Sequence, residues 1–212
     1  MGIDTLAASH RIQTREDAIQ YIETTVKSLP EFFKLLNTPI VDRMKYKACP
    51  ASIGHHSQAL SHLSDDGLLI HTAQVLCSML DMLTSVNLTK DTRAYAITAA
   101  IFHDIGKMME YTQDKEKAVE YVKDTSWHKT TTRSRIGHIT VSCGVFITTF
   151  NTLQAVSPWK DYVQAEDIIV HAILAHHGRQ EWGSPVTPQD AIAWALHAAD
   201  MLSAHYVWDR VQ

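Results

Sequence analysis

The run FHDIGK (Phe102 to Lys107) sets two metal-binding side chains, His103 and Asp104, next to each other, with the Lys107 ammonium one helical turn further on. A lone His-Asp pair carries little information. This pair belongs to a series with His71, His138, His176, His177 and Asp200, its groups separated by helix-sized stretches. Such a series points to a metal site assembled from several helices, and to hydrolysis of phosphate esters. Residues three and four apart share a helix face, which puts Lys107 beside both Asp104 and His103. Asp104 has two carboxylate oxygens and can bridge two ions. His71, His103, Asp104 and Asp200 make one ligand set of mixed nitrogen and oxygen donors. His138 with His176 or His177, sharing Asp104, makes a second. Imidazole plus carboxylate suits Mn, Fe, Co, Ni or Zn better than Mg or Ca. Two divalent transition-metal ions are expected, with Mn favoured.

Around this set lie residues that could meet a substrate. Lys129, Arg133 and Arg135 precede IGHI (Ile136 to Ile139), and Arg179 follows the histidine pair. These cations fit phosphate contacts, or a solvated charged run. Trp182 could stack on a base or anchor its loop. His171 is off the face of His176 and reads as packing, His197 as support or core. Met79, Met82, Met108 and Met109 read as core.

The elements that must position these groups are helices. Thr14-x-x-Asp17 resembles a capping box opening a helix through about Leu29. Residues 31–45 read as a second helix, whole or broken, and 47–66 as a loop. Helices are expected from Gly67 to about Val86, from Lys90 to Tyr111 and from Ser134 to Leu153. Residues 112–133 are polar and irregular. Ser157-Pro158 reads as a cap plus first-turn proline opening a helix that runs to His177 and stops at Gly178. Thr187-Pro188 repeats the device for the last helix. No period-2 strand stands out.

The bulk numbers agree with one all-α domain plus an N-terminal extension. The chain has 212 residues, 45% of them hydrophobic and 20% charged, ordinary for a globular protein. A net charge of -4 argues against a broad basic surface for duplex DNA, but leaves room for a local phosphate cleft. Histidine is the anomaly, with 13 copies, many in the motifs. Cys49, Cys77 and Cys143 lack CxxC spacing and read as reduced thiols of a cytoplasmic protein. No apolar run reaches the ~18 residues of a membrane span. The first residues lack an apolar signal core.

The stretches CPASIGHH (Cys49 to His56), GLLIHT (Gly67 to Thr72), FHDIGK, IGHI, AHHGRQEWGSP (Ala175 to Pro185) and ALHAADMLSA (Ala195 to Ala204) occur in a family order. Together they resemble the HD-domain metal-dependent phosphohydrolase superfamily, and within it the HD domain of the YhaM-type 3′→5′ exoribonucleases. The resemblance implies an HD-domain helical bundle over residues 49–212 with the metal site at its centre, and residues 1–48 as a helical extension packed on it. It implies His71, His103, Asp104, His138, His176 and Asp200 as metal ligands, and His55 and His56 near the cleft. Asp104 and Lys107 would be catalytic. The activity implied is phosphoester hydrolysis by water activated between two ions, at nucleotides or the ends of single-stranded nucleic acid. Those exoribonucleases carry an OB-type strand-binding domain that has no counterpart here, and residues 57–66 look longer than theirs. Both features leave a mononucleotide or cyclic (di)nucleotide phosphohydrolase as the alternative. A di-iron oxygenase of the same fold and a non-catalytic nucleotide-binding module are further readings. No membrane partner is implied. A homo-oligomer stays open.

Overall fold

The structure, a computed structural model, describes residues 11–53, 60–156 and 162–205. The chain order is α1 (Arg15–Lys27), α2 (Glu31–Tyr46), a 3₁₀ turn (Leu60–Leu63), α3 (Gly67–Leu83), α4 (Lys90–Phe102), α5 (Lys107–Glu110), β1 (Tyr111–Thr112), β2 (His128–Lys129), α6 (Thr131–Arg135), α7 (His138–Ala155), α8 (Val163–Ala175), a second 3₁₀ turn (Gln180–Trp182) and α9 (Ala191–His205). Among the described residues, the bundle is all-α apart from one two-stranded antiparallel ribbon, Tyr111 opposite Lys129 and Thr112 opposite His128. Strands this short carry no alternation that a sequence pattern could display.

α3 is the axis. Nearly its whole length is buried, because α1, α4 and α9 all pack on it. α8 packs on α4 and α7. α2 crosses α4 and α7, and its Phe32 and Phe33 rings join Phe150 and Tyr162 in an aromatic cluster. One continuous apolar core runs from Ile12 to Ala199. Among the described residues, no helix is long and apolar enough to cross a membrane.

The capping box of α1 is present: Thr14 accepts from the Asp17 amide, and the Thr14 amide donates back to Asp17. α2 runs unbroken through Pro39. The helix expected over residues 90–111 does not continue. α4 stops at Phe102, and tighter i→i+3 bonds take over, Ile105 to Phe102 at 3.3 Å and Lys107 to Asp104 at 2.9 Å. Gly106 explains the break. It lies so close to α7 that a Cβ there would stand 2.3 Å from the His138 carbonyl oxygen, and its amide donates to Ser142 Oγ at 3.0 Å. The helix expected from Ser134 is likewise cut at Gly137, whose positive φ of 81° separates α6 from α7. The last helix begins at Ala191 rather than at Thr187-Pro188. Asp190 is the cap, its Oδ1 accepting from the Ala193 amide at 2.8 Å. Of the methionines expected in the core, Met79 and Met108 are buried, while Met82 and Met109 face solvent. The Ser157-Pro158 cap lies outside the described residues.

Candidate metal centre

α4 packs on α3 and α9 and ends at His103, and α8 packs on α4 and α9 and ends at His176. Two helix C-termini therefore converge, and their carbonyl ends favour a cation between them. Each terminal histidine bonds its own last turn. His103 Nδ1 donates to the Ala100 carbonyl and His176 Nδ1 to that of Ile173, both at 2.7 Å. Both Nε2 atoms are left turned inward. α3 presents His71 from its second turn, and α9 presents Asp200. His71 Nε2 lies 3.1 Å from Asp200 Oδ1, 3.3 Å from Asp104 Oδ2 and 3.3 Å from His103 Nε2. One donor atom from each of His71, His103, Asp104 and Asp200 falls within 4.8 Å of the other three, and all four residues are buried.

A second group adjoins the first. His138, His176 and His177 also bring one nitrogen each within 4.8 Å of one another. His138 Nε2 is 3.3 Å and His176 Nε2 3.6 Å from Asp104 Oδ1. Asp104 thus faces the first group through Oδ2 and the second through Oδ1. The sequence left open whether His176 or His177 belongs here; both sit in this group. His177 is turned by donating Nδ1 to the Trp182 carbonyl at 2.8 Å, and it is the only half-buried member of the three.

The electrostatics suit a cation. Burial opposes charge on Asp104, yet Lys107 and His103 outweigh it and hold the carboxyl well below the usual carboxylate range. Asp200 is likewise depressed against its burial, by His71 and His176. Burial pushes His138 and His176 down and takes His177 to about 4, so the second group is neutral and free to donate lone pairs at pH 7. His71 moves the other way: burial opposes the proton, but Asp104 and Asp200 win. Among the described residues, His138 Nε2 and His176 Nε2 are buried with no hydrogen-bond partner. Each such orphan costs about 1–3 kcal/mol. Ligation would satisfy both, and a set of imidazoles and carboxylates fits a divalent transition metal.

Above the two groups opens a cleft of about 690 Å³. Its walls include Lys107, Tyr111, Arg133, His138, Trp182 and Glu181. Lys107 Nζ contacts Asp104 Oδ2, so the ammonium is anchored at the cleft floor. The other substrate candidates separate. Arg133 reaches the cleft, but its guanidinium is paired with Glu110 at 2.6 Å. Lys129 is paired with Glu120, and Arg135 is exposed away from the cleft lining. Arg179 lies over the Trp182 ring, 5.1 Å from its centroid, and is not itself part of the lining. His55 and His56 lie outside the described residues. His197 is support as expected, its Nδ1 donating to the His176 carbonyl at 2.8 Å. His171 accepts from the Gln189 amide, which ties the last loop to α8.

Sequence reasoning missed three contributors. Glu110 is fully buried, with Oε1 3.3 Å from His138 Nδ1. It sits in the charged-looking run MMEYTQDKE and gave no signal. Gln74 and Ser203 lie behind His71. Gln74 did carry a signal, as an uncharged polar side chain in the otherwise apolar run AQVLC of α3.

The family model "HD domain" matches residues 68–205. This chain belongs to the HD domain family. It is 30% identical over 162 residues to the 3′-5′ exoribonuclease YhaM of Listeria monocytogenes serotype 4b, covering 73% of this chain and 42% of that protein. The YhaM of Listeria welshimeri is 28% identical over the same length, and that of a Geobacillus species 25% identical over 197 residues, 86% of this chain and 52% of the relative. The chain therefore spans about half the length of these relatives, or less. No solved structure matches significantly. The expectation of an HD-domain, all-α scaffold stands, and His71, His103, Asp104, His138, His176, His177 and Asp200 all fall within the matched residues.

Proposed function

We propose that this protein is a metal-dependent phosphodiesterase that removes nucleotides from the ends of single-stranded nucleic acid, in the manner of a 3′→5′ exonuclease. The observation that carries this reading is the shared carboxylate. Asp104 presents one oxygen to a buried His/Asp group and the other to the imidazoles of His138 and His176, beneath a cleft of about 690 Å³. We infer two divalent transition-metal ions, Mn favoured, held by His71, His103, Asp104 and Asp200 on one side and His138, His176 and His177 with Asp104 on the other. Bound there, the ions supply Lewis acidity and a water acidified towards neutral pH.

The chain's own residues do the rest. Lys107, fixed by Asp104, places an ammonium where charge develops on the phosphate, a contribution of about 3 kcal/mol if it matches other single electrostatic donors. Glu110 holds the ring of His138 and is itself held by Arg133. Trp182 is half exposed on the cleft wall, stacked on His197 and lying under the Arg179 guanidinium; a base would stack there by displacing Arg179, worth about 1–3 kcal/mol. The relatives are named exoribonucleases, which favours RNA. Glu181 on the same wall puts a carboxylate near the path of a long polyanion and favours short substrates, including mononucleotides.

The test is a chain-length screen with Mn-loaded protein on 5′-labelled RNA and DNA oligomers, mononucleotides and cyclic dinucleotides. Stepwise shortening of single-stranded oligomers is expected, with Trp182→Ala raising KM about tenfold. Turnover of mononucleotides alone would move the substrate class. No turnover of any of them with any metal would end the reading.

A further inference from the structure

A chain of hydrogen bonds runs from the N-terminal segment to His71, and its chemistry admits one assignment. Gln74 sits 2.8 Å from the Ile12 carbonyl, which can only accept, so the Gln74 atom there is the amide nitrogen. The other end of that amide is therefore the oxygen, and it too can only accept. Ser203 Oγ lies 2.9 Å from it, and His62 Nε2 also 2.9 Å. Both must donate. A serine hydroxyl has a single hydrogen, and Ser203 gives it to Gln74. Facing His71 Nδ1 at 2.9 Å, Ser203 can then only accept. His71 Nδ1 must carry a hydrogen, so its metal-ligating lone pair is confined to Nε2, the atom that faces Asp104 and Asp200.

We propose that Gln74 and Ser203 are positioning residues that fix the His71 tautomer, and that the Ile12 carbonyl sets the direction of the relay. It rests on the reading of His71 as a ligand. The relay crosses the fold: Ile12 precedes α1 and lies outside the residues 68–205 that match the family model, while Gln74 is in α3 and Ser203 in α9. Gln74 and Ser203 are completely buried, so water does not substitute for either. Without the Gln74 oxygen, the Ser203 hydroxyl is free to turn its hydrogen onto Nδ1. That places the imidazole hydrogen on Nε2 and blocks ligation.

The experiment uses the full chain, with Gln74→Met and Ser203→Ala as independent variants. Zinc binding is followed by calorimetry, and histidine ring nitrogens by long-range proton–nitrogen spectra of zinc-loaded, nitrogen-labelled protein. In the unsubstituted protein, His71 is expected to show a protonated Nδ1 and a zinc-bound Nε2. Each variant is expected to weaken zinc binding roughly 10- to 100-fold and to show a mixture of His71 tautomers. Loss of stability in both variants with the His71 tautomer unchanged would overturn the relay and leave Gln74 and Ser203 as packing. Zinc bound through Nε2 in the unsubstituted protein, with both variants equal to it in affinity and spectrum, would overturn the relay alone. His71 untouched by zinc in the unsubstituted protein would overturn the reading of the site itself.

Discussion

The two halves of the centre differ in chemistry although they share Asp104. The first, His71, His103, Asp104 and Asp200, is buried throughout and carries two carboxylates. The second, His138, His176 and His177, is made of imidazoles alone, and His177 stands at the cleft edge. Burying two carboxylates costs several kcal/mol unless positive charge compensates them, and Lys107 contacts only Asp104. In this structure that charge comes from Lys107 and from the proton that Asp104 and Asp200 favour on His71, and an ion bound there would replace that proton. The second half is neutral at pH 7, and its only anionic donor is the borrowed Asp104 Oδ1. Under the proposed two-ion reading, the contrast predicts a division of labour: the first half would hold its ion tightly, and the second, at the cleft edge, would hold one weakly.

That contrast can be broken by substitution. The largest effect is expected from Asp104→Ala, which removes the shared donor. Both ions should be lost in elemental analysis, and turnover should fall roughly 10³-fold or more. Next, Asp200→Asn should leave about one ion per chain, because it damages the first half alone; loss of both would show the halves to be one site. Lys107→Gln should cost about 10²- to 10³-fold in kcat with metal content unchanged. Metal loss in that variant would make Lys107 a structural counter-charge instead. The smallest effect is expected from His177→Ala, about a tenfold weaker second ion by calorimetry, as His138, His176 and Asp104 remain. A complete loss there would remove the asymmetry between the halves.

Much of the site was legible because its residue types are costly to place anywhere else. His71 and Asp200 are charge-capable groups on apolar helix faces, and the His-Asp and His-His pairs mark helix ends. The break in residues 90–111 was not legible, because it depends on how closely Gly106 meets the His138 backbone, a contact between residues far apart in sequence. Glu110 was hidden for the same reason. A glutamate in a charged run looks solvated until His138 and Arg133 fold over it. Arg133 and Arg135 are two positions apart and look equivalent, yet one enters the cleft and the other does not.

Helix identity, capping at Thr14 and the kinds of ligand available follow from local chemistry, since propensity, periodicity and donor type are properties of short segments. Which oxygen of Asp104 meets which histidines, that both His176 and His177 turn inward, and that Ile12 reaches Gln74 are decided by packing. Side-chain direction at a helix end is set by a neighbour that arrives from another part of the chain, and only the assembled bundle brings that neighbour into place.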